Sequence, residues 1–305
     1  MSILRRTVLT VAGSDTFSSF FQSSSMARSL VNRFVAGESL DTAIDAARRL
    51  GEGGISVTLD LLGENVDSAD AAQQAASRFC DTLRAMRENQ IDPNISIKLT
   101  MLGLDLGEVV ARENTRRILE VAREVDGFVR IDMEGSAYTD VTMRIFEDLH
   151  ASWPQEVGIV IQTYMRRAEA DVRRAIELGA RVRLVKGAYA EPESVAFQDK
   201  VQIDENYARL ARLLLDEGNF PAIATHDMAL VRSTIEHAQR HGIAPQRFEF
   251  QMLYGVRNDQ QAKLVADGYG MRVYVPFGTE WYPYFTRRIA ERPANAFFVL
   301  RQLAG

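Results

Sequence analysis

FVRIDMEG, residues 128–135, sets Val129, Ile131 and Met133 on one side of an extended chain and Arg130, Asp132 and Glu134 on the other. Side chains alternate across a strand with a period of two, so these eight residues predict a strand with one apolar and one polar face. Runs of the same kind stand at 55–63 (ISVTLDLLG), 94–102 (NISIKLTML), 157–164 (VGIVIQTY), 181–189 (RVRLVKGAY), 221–227 (PAIATHD), 247–253 (RFEFQML) and 271–278 (MRVYVPFG). Between them lie stretches with helical periodicity, such as ENTRRILEVAREV (113–125) and ADVRRAIELGA (170–180). Strand followed by helix eight times over predicts an α/β protein with a parallel (β/α)8 barrel of the TIM type. A doubly wound open sheet is the alternative; the count of eight favours closure. Residues 1–54 read as an N-terminal helical arm and 55–305 as the barrel.

Parallel strands covered on both faces are near-continuously apolar, and these are not. Ser96, Lys98 and Thr100 share one face of strand two, Glu249 and Gln251 one face of strand seven, Arg272 and Tyr274 one face of strand eight. With the apolar faces toward the helices, the polar ones look into the barrel. Buried charges and amides cost several kcal/mol unless paired. An interior holding Lys98, Asp132, Gln162, Arg183, Gln251 and Tyr274 therefore predicts a ligand site at the C-terminal strand ends, where barrel enzymes carry their chemistry. An internal salt-bridge network that merely fills the barrel is the plainer reading.

Composition narrows the function classes. The 305 residues are 46% apolar and 25% charged, which suits a globular chain and excludes a disordered one. A formal net charge of −5 argues against bulk electrostatic binding to nucleic acid or anionic membrane. The single cysteine, Cys80, excludes an internal disulfide or thiolate cluster and fits a reducing compartment, the cytoplasm. No apolar run reaches transmembrane length, and the apolar part of MSILRRTVLTVAGSD is too short for an export signal.

Several chemistries are missing. No GxGxxG follows a strand, and neither a GxxxxGK[ST] loop nor a GxSxG elbow is present. His237 and His241 are four apart on a helix without the glutamate of HExxH, and are expected to be solvated; no metal site is expected. What remains is a site rich in cations and amides with a permissive glycine at KGAY, suited to a large anionic cofactor with a polar ring. After strand eight, WYPYFTRRIAERPANAFFVL places Arg287 and Arg288 one turn before Glu291, a geometry able to clamp a small carboxylate or equally to form a solvated helix face.

IKLTMLGLDL, RIDMEGS, VIQTYMRR, RLVKGAY, ATHD, FEFQMLYG, VYVPFG and YxxRRxxERPAN stand in this order along the chain, and their sequence resembles the proline dehydrogenase family over roughly 55–303. The resemblance implies a distorted barrel, non-covalent FAD over the strand ends, and a helix after strand eight that covers the mouth. It implies that Arg287 and Arg288 bind the proline carboxylate with help from Lys98, that Glu291 and Asp132 are their ion-pair partners, and that Tyr274, Leu253 and Tyr189 border the substrate. Flavin contacts are implied for Met133, Gln162, Arg183, Val185, Lys186, Gly187, Ala188, Lys200, Thr225, His226 and Gln251, with Arg183 beside the reactive ring nitrogen. The implied reaction is hydride transfer from L-proline to flavin, giving Δ1-pyrroline-5-carboxylate. Electrons would pass to a quinone or other acceptor, with peripheral contact at the inner membrane face, and a separate pyrroline-5-carboxylate dehydrogenase would follow. A Schiff-base aldolase using Lys98 or Lys186, and a non-catalytic flavin- or amino-acid-binding barrel, are the rivals.

Overall fold

The computed structural model describes residues 31–291, of which 287–291 by backbone alone. Eight strands, β1 (Ser56–Leu61), β2 (Asn94–Ile97), β3 (Phe128–Ile131), β4 (Val157–Gln162), β5 (Arg181–Val185), β6 (Ala222–Ala224), β7 (Glu249–Leu253) and β8 (Gly270–Phe277), pair in chain order into a closed barrel. All eight pairings are parallel. Closure runs along six residues, from Ser56 opposite Arg272 to Leu61 opposite Phe277.

The outward alternation of each strand meets a helix. Val57, Leu59, Ile95, Ile97, Val129, Ile131, Ile159 and Val273 are all buried against the outer ring. That ring comprises α1 (Leu40–Glu52), α2 (Ala69–Glu88), α3 (Glu108–Glu124), α4 (Thr139–Ser152), α5 (Ala168–Glu177), α6 (Lys200–Glu217), α7 (Met228–Arg240) and α8 (Asn258–Ala266). Starts are set locally: Ser39, Ser68, Asp199 and Asp227 each accept a hydrogen bond from a backbone N–H of the first turn that follows. Cys80 is buried in α2, and burial pushes its thiol up, as befits a packing residue.

The barrel departs from regularity between β8 and β1. The ring position there is taken by α1, which packs against both strands although it precedes them in the chain. The helix after β8, α9 (Trp281–Glu291), is thereby released to the C-terminal mouth, where Tyr284 lines the central cavity. Trp281 donates from Nε1 to Glu38 at 3.2 Å, and Phe285 packs on Phe34 with ring centroids 6.5 Å apart, which anchors α9 to the segment before α1.

Strand ends are shorter than the β-branched runs. β2 stops at Ile97 and β3 at Ile131, because Thr100 turns to donate both its N–H and its hydroxyl to the buried Glu134 carboxylate. Lys98 and Asp132 therefore sit one residue past their strands, on backbone that is leaving the sheet.

Candidate active site

The polar strand faces do converge inside the barrel. Near its floor Arg272 donates to Glu249 at 3.1 Å and to the Val57 carbonyl at 2.6 Å, and reaches Asp92 at 3.2 Å. Glu249 also accepts from the Gln251 amide, which turns the Gln251 carbonyl oxygen toward Arg183; Arg183 Nε donates to it at 2.6 Å. Arg183 Nη1 donates to Ser96 at 2.9 Å and to Asp132 at 2.8 Å. This guanidinium is 4% exposed, and its Nη2 has no hydrogen-bond partner among the described residues. Salt-bridge filling thus accounts for the floor but leaves a buried donor at the top.

Above Arg183 the strand ends surround a cavity of about 450 Å³. One wall carries Lys98, Asp132, Leu253 and Tyr274, the other Met133, Gln162, Val185, Lys186, Gly187, Ala188, Thr225 and His226, with Gln251 and Arg183 beneath and Tyr189 at the rim. Tyr274 donates its hydroxyl to Asp132 at 2.9 Å, and Arg183 lies over the Tyr274 ring at 5.2 Å. Burial first, then the Asp132 and Asp60 charges, hold the phenol well above its ordinary range, so it stays a donor. Lys98 bonds Asp60 at 3.2 Å and lies 3.8 Å from Asp132. Burial alone would lower Lys98, but the two carboxylates outweigh it and hold the ammonium above its ordinary value. Burial raises the Asp60 carboxyl, with Lys98 opposing.

Around the KGAY segment the backbone does much of the shaping. Gly187 has φ +116°, and a Cβ there would lie 2.3 Å from the Tyr164 ring. The chain passes close to that ring only without a side chain. Gln162 donates its amide to the Met133 carbonyl at 2.8 Å. The Leu253 N–H donates to His226 Nε2 at 2.9 Å, so that nitrogen is an acceptor. Lys186 is gripped by Asp227 from the start of α7 and by Asp204 from α6. Both carboxyls are opposed by burial, yet the lysines hold them below the ordinary aspartate range.

Some expected residues stand apart. Lys200 is exposed at the start of α6, paired to Asp204, and does not line the cavity. The partners of Asp132 among the described residues are Arg183, Tyr274 and Lys98. Arg287, Arg288 and Glu291 lie on α9, but their side chains fall outside the described residues. His237, expected to be solvated, is buried and bonded to Asp216, because α7 turns that face toward α6. Asp60 was missed, though the alternation of Thr58 and Asp60 against Val57, Leu59 and Leu61 carries its signal. Asp204 and Asp227 were missed as partners because nothing in their local sequence points at Lys186.

With this geometry in place, the relatives are informative. The family model described as proline dehydrogenase matches residues 43–301. Proline dehydrogenase 1 of Bacillus subtilis (strain 168) is 44% identical over 269 residues, which cover 88% of this chain and 89% of that protein. The proline dehydrogenase of Deinococcus radiodurans is 43% identical, covering 89% of each. The crystal structure of proline utilization A (PutA) from Bdellovibrio bacteriovorus, inactivated by N-propargylglycine, matches with a TM-score of 0.82 at 26% identity; the match covers 88% of this chain and 33% of that one. A matched sequence over most of both lengths, on the same closed barrel, leads to one conclusion: the chain belongs to the proline dehydrogenase family.

Proposed function

We propose that this enzyme oxidises L-proline to Δ1-pyrroline-5-carboxylate with non-covalently bound FAD and passes the electrons to a quinone or similar acceptor. The observation that carries the reading is Arg183, a buried guanidinium whose Nη2 lacks a partner among the described residues, beneath a cavity at the strand ends. An uncompensated buried donor is costly, and an acceptor atom of a bound ring would satisfy it. Gly187 supports the same fit: its backbone lines the cavity and is held there against the Tyr164 ring, where a side chain would clash.

When bound, the flavin would accept the hydride lost from the ring carbon next to the proline nitrogen. The protein's part is electrostatic and steric. Arg183 presents a fixed positive charge to that ring, kept in place by Gln251, Ser96 and Asp132. Met133, Gln162, Val185, Lys186, Gly187, Ala188, Thr225, His226 and Gln251 would hold the cofactor, with Lys200 toward its nucleotide end. Arg287 and Arg288 would clamp the proline carboxylate, with Glu291 tethering them and Lys98 assisting. Tyr274, Leu253 and Tyr189 would enclose the pyrrolidine ring and exclude water. The product would need a separate pyrroline-5-carboxylate dehydrogenase. No described helix is long and apolar enough to cross a membrane, so contact with a quinone pool would be peripheral. Residues 1–54 would serve as an arm to the catalytic barrel of 55–305, with its last helix, α1, docked in the barrel's ring between β8 and β1.

Lys98 weighs against a Schiff-base mechanism. Two carboxylates hold it as the ammonium, and that form is no nucleophile. The deciding measurement is the absorption spectrum of the purified protein, then its change on adding proline without oxygen. A flavin spectrum that bleaches supports the proposal; a colourless protein trapped by borohydride, or a flavin spectrum indifferent to proline, overturns it. In Arg288→Ala, loss of a charged carboxylate contact should raise the KM for proline about ten- to a hundredfold while flavin stays bound. Unchanged kinetics would remove the clamp assignment.

A further inference from the structure

We infer that Asp216, His237 and His241 form a binding site for a divalent transition metal, of the zinc class, on the outer face of the barrel. The inference depends on neither flavin nor proline. His237 and His241 are four residues apart and share one face of α7, with rings stacked at 4.2 Å and an interplanar angle of 24°. Asp216, in the last turn of α6, brings Oδ1 to 2.7 Å from His237 Nε2. One ligand atom from each of the three residues lies within 4.8 Å of the others.

The chemistry of the donor set fits. Two imidazoles and one carboxylate are borderline ligands that suit zinc, copper or nickel, and three protein ligands leave a fourth position for water. Metal–nitrogen and metal–oxygen bonds of about 2.0–2.2 Å ask the Asp216–His237 contact to open slightly and His241 to swing inward. His241 is exposed and stacks on the His237 ring, whereas His237 is buried and bonded to Asp216. Their roles divide accordingly: a buried ligand set by Asp216, and an exposed one that closes on the ion.

The field is also favourable. α6 ends at Glu217 and α7 at Arg240, so the cluster sits where both helices expose carbonyls and the negative ends of their dipoles. Because each helix runs back from the C-terminal end of a strand, this place lies at the barrel end opposite the catalytic cavity. Without metal, the His237–Asp216 contact at 2.7 Å ties the two helices.

The test is equilibrium dialysis of the chelator-stripped holoenzyme against zinc at micromolar free concentration, with bound metal counted by mass spectrometry. One zinc per chain is expected. His241→Gln should weaken zinc binding by at least about tenfold, the smallest loss produced even by an outer partner of a metal ligand. That variant should keep the zinc-free proline turnover of the parent, which checks its folding. Copper(II) bound to the parent should show electron paramagnetic resonance splitting from two nitrogens. Equal zinc uptake by parent and His241→Gln, or no uptake at all, overturns the site. Asp216→Asn provides a second arm, expected to lose affinity with the copper signal reduced to nitrogen donors alone.

Discussion

Asp60 shows how much one interior carboxylate can decide. It lies 1% exposed on β1 and bonds Lys98, whose charge would otherwise be reduced by burial. Asp60→Asn keeps the volume and removes the charge, leaving Asp132 at 3.8 Å as the remaining partner of the ammonium. The expected outcome is a rise in the KM for proline on the order of tenfold, the scale of a charge-assisted hydrogen bond, with the flavin-to-protein absorbance ratio unchanged. Gly187→Ala acts on the opposite wall. Its Cβ would meet the Tyr164 ring at 2.3 Å on backbone at φ +116°, so strain and overpacking add. We expect a loss of about 1–3 kcal/mol in chemical denaturation together with lower flavin retention on dialysis. At this scale the sequence told the strand faces correctly. It did not tell the pairings, since Arg183 meets a partner 68 residues away and Tyr274 one 142 residues away.

Among the elements, the starts of α6 and α7 matter most to the site. They deliver Asp204 and Asp227 to Lys186, and so tie the KGAY segment to the helices around it. Both carboxyls sit below the ordinary aspartate range in the folded protein. A depressed acid contributes stability that is complete above its unfolded-state pKa and is lost as the pH falls through the folded-state value. Denaturation midpoints should therefore fall below about pH 4, the ordinary aspartate value. Asp204→Asn should show a shallower fall over the same window, and a parallel one would remove these pairs as the cause. α9 was legible as a helix from its spacing, and its place over the mouth depended on a segment far earlier in the chain: α1 taking the ring position that the helix after β8 would otherwise fill.

For the molecule as a whole, closure depends on that substitution of one helix for another. Ala43 of α1 is fully buried against the barrel, while Asp45 on the outer face pairs with Arg48 near solvent. Ala43→Asp should cost about 3 kcal/mol or more in urea denaturation, as an unpaired buried charge does. Asp45→Ala should stay within about 0.5 kcal/mol, as exposed pairs contribute little. The sequence by itself determined the number of strands, the polarity of their two faces and the family motifs, because periodicity and turn chemistry are local properties of a chain. Only the tertiary structure decided which polar side chains meet. Closing the barrel put Asp60 beside Lys98, packing α6 on α7 put Asp216 beside His237, and three partners on Nε and Nη1 of Arg183 left its third nitrogen, Nη2, without a partner among the described residues. Those are contacts between distant segments, fixed by register and closure, and no local pattern encodes them.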